Sequence, residues 1–136
     1  MKKTFGILMM VVLVGLLCSC SHTNESGKVT YQLGTAPSMK LSTDEDLKRW
    51  KKIETIYATE LKGIEGATPD RDSNNAIQME GVYEKTNAAV VEACKAAEKS
   101  ATAITLTDGY VVLEVSATYW SSAQPEVIYS HTFGKP

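Results

Sequence analysis

The sequence has few of the residues that build disulfide frameworks, zinc sites or histidine-based catalytic sites. It contains three cysteines and two histidines in 136 residues, and their spacing differs from the patterns that bind zinc. It also lacks the G-x-S-x-G turn of serine hydrolases and a glycine-rich phosphate-binding loop. With 14 basic and 16 acidic side chains the formal charge is −2, whereas nucleic-acid-binding surfaces are clearly basic. These absences predict no metal, no cofactor and no nucleic-acid partner.

The sequence also lacks an apolar run of the length that a membrane-spanning helix needs, which is about 20 residues. Its longest uncharged apolar run, FGILMMVVLVGLL, occupies residues 5–17 and follows the basic start MKKT. A basic start, a short apolar stretch and then small polar residues are typical of a secretory signal peptide. Residues 1–19 are therefore predicted to be an export signal that the mature protein loses.

The apolar run ends in Leu17-Cys18-Ser19-Cys20, which resembles the lipobox of bacterial lipoproteins. The resemblance concerns only the first 20 residues, and it implies cleavage between Ser19 and Cys20. Cys20 would then carry a thioether-linked diacylglycerol and, in many bacteria, an acylated amine, so that palmitate-type chains anchor the protein. Several acyl chains hold a protein stably at a bilayer, whereas one chain binds reversibly. Ser21 follows in place of the Asp that would resemble an inner-membrane retention signal, which favours the outer membrane if the host has one.

The rest of the chain divides into a tether and a domain. Residues 20–27 (CSHTNESG) are the lipidated cysteine and small polar residues without periodicity, which predicts a flexible tether. Residues 28–136 are predicted to form a single domain, because a composition of 43% hydrophobic and 22% charged residues is that of a folded chain. The alternative for the N-terminus is an ordinary signal peptide cleaved nearby, or an anchor that is not cleaved.

Periodicity predicts one strand and two helices in the first two thirds of the domain. Alternating apolar and polar side chains predict a half-buried strand at residues 28–34. A capping box at residues 42–45, followed by apolar side chains at spacings of three and four, predicts a helix that ends at Gly63 or Gly66. A second, alanine-rich helix is predicted over residues 75–100.

The last third reads as three strands. Asp108-Gly109 is a favoured two-residue hairpin turn, and it would join strands at residues 102–107 and 110–120. The predicted fold is therefore α+β, an antiparallel three- to four-stranded sheet with two long helices packed on one face. The order of elements would be β-α-α-β-β-β in a two-layer sandwich.

The register of the final hairpin follows from a loop at residues 121–125. This loop would pair Tyr119 with Val127 and Leu113 with Phe133, so that Val127, Tyr129 and Phe133 face inward. His131 would then also face inward, opposite Val115.

Candidate chemical groups in the domain are few, and each has a structural explanation. Cys94 lies on the apolar stripe of the second predicted helix, where it is expected to pack in the core rather than react. The sequence DRDSN at residues 70–74 begins like a calcium loop, but Asn75 and Gly81 stand where glycine and glutamate are needed, so no metal site is predicted. His131 has no recognisable catalytic partner in the sequence.

The tip of the last predicted hairpin is the main candidate for contact with another molecule. Tyr110 and Trp120 are predicted to point outward from the long strand, and Gln124 lies in the loop that follows. Aromatic residues among adaptable polar ones suit contacts with a protein or a glycan, although the same residues also suit a solvated sheet face.

The sequence thus predicts a non-enzymatic cell-envelope lipoprotein, held at the membrane through Cys20, whose small domain is a protein-interaction or structural module. The alternative is a small-ligand-binding protein or hydrolase, in which a cleft between helices and sheet brings together His131, Asp70 and Asp72. The two hypotheses predict different shapes, because the second requires a deep pocket with convergent polar groups and the first only a flat sheet face.

Overall fold

The computed structural model describes residues 25–37, 39–122 and 124–136. The predicted signal peptide at residues 1–19, Cys20 and most of the predicted tether lie outside these residues. The first strand begins at Ser26. Ser26 and Gly27, which were predicted to belong to the tether, therefore belong to the sheet.

The elements are, in chain order, β1 (Ser26–Thr35), β2 (Lys40–Leu41), α1 (Asp44–Lys62), β3 (Thr68–Pro69), β4 (Ala76–Val82), α2 (Tyr83–Ala101), β5 (Gly109–Tyr119) and β6 (Glu126–Gly134). They form an antiparallel six-stranded sheet and two 19-residue helices, which confirms the predicted α+β class. The predicted order β-α-α-β-β-β is corrected to β-β-α-β-β-α-β-β, and the predicted strand number is too low.

The strands lie side by side in the order β6-β5-β1-β4-β3, and each neighbouring pair is antiparallel. The short β2 pairs with the first residues of β5 on the edge that β1 also uses, so it continues β1 after a bend. In β1 and β5 every second side chain is buried, as expected for a sheet with one covered face. Both helices pack on that face, against Val29, Tyr31, Leu33, Val111, Leu113, Val115, Ala117 and Tyr119.

Helix α1 starts close to the predicted position. Its N-cap is Thr43, whose Oγ1 accepts a hydrogen bond of 3.1 Å from the N–H of Asp46. Three acidic residues occupy the first turn, where negative charge interacts favourably with the helix dipole. The helix ends at Lys62 with Gly63 as its C-cap. The apolar stripe that the spacing predicts is buried at Trp50, Ile53, Tyr57 and Leu61. Leu47, which the same spacing places on the stripe, is 44% exposed, and Ile64 lies beyond the end of the helix.

The prediction of a helix from residue 75 onward is wrong for its first part. Residues 76–82 form β4, and α2 begins directly after it at Tyr83. Ile77 and Met79 are buried on alternate positions of this strand. Without β4, one edge of β1 would have unpaired backbone groups. Pairing with β4 satisfies these groups over seven residue pairs, which favours a strand over a helix at residues 76–82.

The predicted hairpin at Asp108-Gly109 is also wrong. Residues 102–107 form a turn and an irregular segment after α2, and Gly109 is the first residue of β5. The cause is a distant side chain, Asp46, whose carboxylate accepts the N–H groups of Asp108 at 2.7 Å and Thr107 at 2.9 Å. These contacts hold the segment against the start of α1 instead of against a neighbouring strand.

Strand β6 pairs with β5 two residues away from the predicted register. Phe133 lies opposite Val111, and His131 lies opposite Leu113, whereas the predicted partners are Leu113 and Val115. A shift of two residues keeps each side chain on the same face of the sheet. Both side chains therefore face inward, as predicted.

A β-bulge between Val115 and Ser116 accompanies this shift. Tyr129 lies opposite Val115 and Val127 lies opposite Ser116, so Ile128 has no direct partner in the pairing. Tyr129 consequently faces the helices, as predicted. Val127 points to the other face and is 51% exposed, so its predicted inward orientation and its pairing with Tyr119 are wrong.

A group of buried tyrosines connects the start of α2 to the sheet. The Tyr31 hydroxyl lies 2.7 Å from both Thr86 Oγ1 and Asn87 Oδ1. Asn87 Nδ2 donates a further hydrogen bond of 2.7 Å to the Tyr119 hydroxyl. Burial raises the pKa of Tyr31 well above its ordinary value, so this hydroxyl keeps its proton and can donate.

The Asp46 carboxylate is buried and forms an ion pair of 2.8 Å with Arg49. The N–H of Thr107 is the main cause that lowers the pKa of Asp46 below its ordinary value, and the N–H of Asp108 and Arg49 add to it against the opposing effect of burial. The carboxylate therefore stabilises the fold in its ionised form.

We predict that Asp46 makes the stability of the fold sensitive to acid. Because its pKa is lower in the folded state, its contribution is fully present above about pH 4 and is lost as the pH falls toward the folded-state value. Asp46→Asn should lower the melting temperature at neutral pH and flatten the acid loss of stability, both measured by circular dichroism. Asp44→Asn, at an exposed position of the same helical turn, is the control. An acid profile of Asp46→Asn that parallels the wild-type profile would contradict the prediction.

Candidate functional site

One face of the sheet is not covered by any element of the described residues, and we call it the open face. Direct cross-strand pairing places Gln78, Thr30 and Thr118 side by side on three neighbouring strands. The next pair along the sheet is Gln32 and Ser116. These five side chains are neutral and at least partly exposed. They lie between the Lys28–Glu80 pair and Glu114 on the same face, so the open face combines hydroxyl and amide groups with a few charged ones.

A groove lies where the open face meets the end of β5, and we call it the Trp120 groove. It has a volume of about 410 Å³. It is lined by Lys28, Thr30, Gln78, Thr118, Tyr119, Trp120 and Ser122. Trp120 is 82% exposed, more than any other large hydrophobic residue of the described chain.

The backbone around Trp120 is held in place although its side chain is exposed. Its N–H donates to the carbonyl of Lys28 at 2.9 Å, and the N–H of Ser122 donates to the carbonyl of Tyr119 at 3.0 Å. The Ser121 hydroxyl donates to the Glu25 carboxylate at 3.0 Å. The indole is therefore presented from a fixed position at the end of the domain.

The Trp120 groove suits non-covalent binding. Its lining, as far as the described residues form it, provides hydroxyls, an amide and the Lys28 ammonium but no histidine, cysteine or carboxylate. Glu80, which pairs with Lys28 across β1 and β4, lies at its edge. Covalent hydrolysis requires a nucleophile beside a base, and the described lining residues provide no histidine or carboxylate base for the hydroxyls of Thr30, Thr118 and Ser122.

The structure brings together two of the three predicted contact residues. Trp120 follows the last residue of β5, and Gln124 is exposed in the loop after it. Tyr110 also points toward the open face, but it lies near the start of β5, roughly 33 Å away along the strand. Strand parity predicted the correct face for Tyr110, but Tyr110 does not line the Trp120 groove.

Comparisons with known proteins do not assign this site. The chain matches no protein-family model, and it has no match among the curated proteins or among the solved structures. The geometry of the described residues and the sequence of the N-terminus are therefore the basis for the function proposed below.

Within residues 25–37, 39–122 and 124–136, no cleft brings together the three residues that the alternative hypothesis requires. His131 lies on β6, at one edge of the sheet, whereas Asp70 and Asp72 lie in the loop between β3 and β4, at the opposite edge. Asp70 is engaged locally, with its carboxylate 3.5 Å from Gln78 Nε2. The three residues therefore cannot act on one substrate within this domain.

His131 instead belongs to a hydrogen-bonded group that sequence reasoning missed. The hydroxyls of Tyr57 and Tyr129 are 2.7 Å apart, and the Tyr129 hydroxyl donates to Glu98 Oε1 at 2.7 Å. His131 Nδ1 lies 3.5 Å from the same Glu98 oxygen. An abundance of tyrosine over phenylalanine, six against two, was the sequence signal for polar contacts inside the core.

The two tyrosines of this hydrogen-bonded group, Tyr57 and Tyr129, have raised pKa values. Burial raises the pKa of Tyr57 to about 12. Burial, followed by the hydrogen bonds with Tyr57 and Glu98, raises the pKa of Tyr129 still further. Both phenols therefore stay protonated at neutral pH and hold β6 and α1 to α2 instead of transferring protons.

Two other predictions concern cysteine and metal. Cys94 is fully buried, and burial together with the charge of Glu98 raises the pKa of its thiol to about 12, so it packs in the core as predicted. Among the described residues there is no group of three or more side chains that could hold a metal ion. No helix in the same part of the chain is both long and apolar enough to cross a membrane.

We predict that Tyr129→Phe destabilises the domain by about 1–2 kcal/mol, because it leaves the buried Tyr57 hydroxyl without this partner and removes a donor to Glu98. Urea unfolding monitored by circular dichroism measures the free energy of unfolding. Tyr110→Phe, on the open face, is the matched control and should change that free energy by less than about 0.5 kcal/mol. Equal effects of the two substitutions would show that the tyrosine hydroxyls do not contribute in this way.

Proposed function

We propose that this chain is an exported lipoprotein of the bacterial cell envelope, anchored through Cys20, whose domain acts by docking and not by catalysis. The proposal for the anchor is supported by the order of the basic start, the apolar run at residues 5–17 and the lipobox-like Leu17-Cys18-Ser19-Cys20. Ser21 favours the outer membrane if the host has one.

The observation that carries the docking proposal is the exposure of Trp120 from a rigid position. A side chain that is 82% exposed contributes little to packing, yet hydrogen bonds fix its backbone beside Lys28. Tryptophan is the residue type that most often dominates binding at interfaces. The hydroxyl and amide groups of the groove add polar contacts, and Lys28 adds one charged donor.

The same geometry argues against the hydrolase alternative. Its proposed residues His131, Asp70 and Asp72 lie at opposite edges of the sheet. The described lining of the Trp120 groove contains no histidine or carboxylate that could act as a base toward its hydroxyls. A shallow groove with an exposed aromatic side chain suits a macromolecular surface better than an enclosed small substrate.

We predict that Cys20→Ala abolishes lipid attachment. Cells grown with labelled palmitate should incorporate label into the wild-type protein, and the protein should sediment with membranes. Cys20→Ala should lose the label and accumulate as the unprocessed precursor. Cys18→Ala is the matched control, because Cys18 precedes the expected cleavage position and should be dispensable. Palmitate labelling of Cys20→Ala at the wild-type level would refute the anchor.

We predict that Gln124→Cys is shielded in intact cells by the docked partner. The introduced thiol should be the main reactive one, because Cys94 is buried and Cys20 would be a thioether. A small water-soluble maleimide should label it several-fold more slowly than it labels Lys48→Cys. Lys48 is exposed on α1, so Lys48→Cys is the control for access of the reagent to the domain in cells.

The second variant tests whether this shielding depends on docking. Adding Trp120→Ala to Gln124→Cys should restore rapid labelling in cells, because it removes the main contact residue. Labelling after denaturation gives the total thiol for each variant. If Gln124→Cys reacts as quickly as Lys48→Cys while Trp120 is present, the domain has no docked partner at this end.

A further inference from the structure

We infer that the partner of Trp120 is the bilayer surface itself, with the indole placed in the interfacial region of the membrane that holds the anchor. This inference rests on the proposed lipid anchor at Cys20. It names the occupant of the Trp120 groove, which the docking proposal leaves open.

Few residues separate Cys20 from the start of the domain. The Glu25 carbonyl accepts the N–H of Tyr83 at 2.9 Å, and its carboxylate accepts the Ser121 hydroxyl at 3.0 Å. The polypeptide is therefore already bonded to the domain at Glu25, two residues before the end of the predicted tether at Gly27. Five residue steps separate Cys20 from Glu25, so a lipid at Cys20 can lie at most about 18 Å from this point.

Trp120 lies at this same end of the domain. Its N–H is bonded to the carbonyl of Lys28, three residues after Glu25. Lys28 in turn pairs with Glu80, and Ser26 pairs with Val82. Glu25, the start of β1 and the exposed indole therefore lie at one end of the sheet. We call it the anchored end, because the proposed anchor at Cys20 precedes Glu25 in the chain.

Exposed apolar side chains are present at both ends of the domain, and the position of the anchor distinguishes them. Val82 is 38% exposed and Trp120 is 82% exposed at the anchored end. Met39 and Leu47 are exposed at the other end, which lies roughly 35 Å away along β5. The first pair is therefore the one that lies beside the proposed anchor. Tryptophan is enriched at the membrane interface because its ring is apolar and its N–H is polar.

The charges at the anchored end limit what kind of contact this is. The charged residues there are Glu25, Lys28, Glu80, Glu84, Lys85 and Glu126. Acidic groups outnumber basic ones, so attraction to anionic lipid headgroups does not drive the contact. The apolar surfaces of Trp120 and Val82 make the contact, so it should not depend on anionic lipid.

The test uses the full lipidated protein, reconstituted into phosphatidylcholine vesicles whose acyl chains carry bromine near the headgroups. Bromine quenches only indoles at the membrane. Trp120 emission should lose most of its intensity and shift to shorter wavelength, to the same extent with added phosphatidylglycerol. Trp120→Phe retains only Trp50, which is buried in the core, and its emission should be unaffected.

A second variant controls for simple proximity to the vesicle. Leu47→Trp combined with Trp120→Phe places an exposed indole at the distal end, and it should remain unquenched by bromine and accessible to acrylamide. If mass spectrometry confirms lipidation but Trp120 stays unquenched and accessible to acrylamide, the inference is wrong while the anchor stands. In that case a protein or glycan occupies the groove. If lipidation is absent, the proposed function fails, and this inference fails with it.

Discussion

The hydrogen bonds of the buried tyrosines fix the position of α2 on the sheet, and the rest of the fold depends on that position. Tyr31 and Tyr119 contact Asn87 near the start of α2, whereas Tyr129 contacts Glu98 near its end. These two points are roughly 16 Å apart along the helix. A buried hydroxyl without a partner costs about 1–3 kcal/mol. A displacement of α2 by one turn would therefore break the hydrogen bonds at both Asn87 and Glu98 and destabilise the fold. Strands β1, β5 and β6 are thereby connected to one helix.

Because both helices occupy one face of the sheet, the site can lie only on the other face or at an end. The antiparallel pairing then determines which end. Strand β1 begins beside the point where β5 ends, as the contact between Lys28 and Trp120 shows. Any anchor on the chain before β1 is consequently placed next to the residue that follows β5. The proximity of Glu25 to the residues around Trp120 therefore follows from strand direction and not from their separation in the sequence, and it would bring a lipid at Cys20 to the same end.

The sequence was informative where side chains alternate and uninformative where distant residues decide the local structure. The period of two in β1 and β5 correctly predicted which side chains are buried, and hence the two-layer class. It could not show that Asp46 binds Asp108 from 62 residues away, or that a bulge follows Val115. For the site, parity predicted the outward face of Trp120. The alternation could not show that Trp120 and not Tyr110 lies at the groove, because it predicts the face of a residue and not its position along the strand.

The proposed anchor and Trp120 would have different physical roles. Acyl chains supply the affinity for the bilayer, and a tether of at most about 18 Å keeps the domain at a high effective concentration near the surface. Under those conditions one aromatic contact is enough to select an orientation, although it would be too weak to bind the membrane alone. With Trp120 in the interface, β5 leads away from the membrane toward Tyr110. The open face is then presented sideways, where other molecules of the envelope can reach its hydroxyl and amide groups.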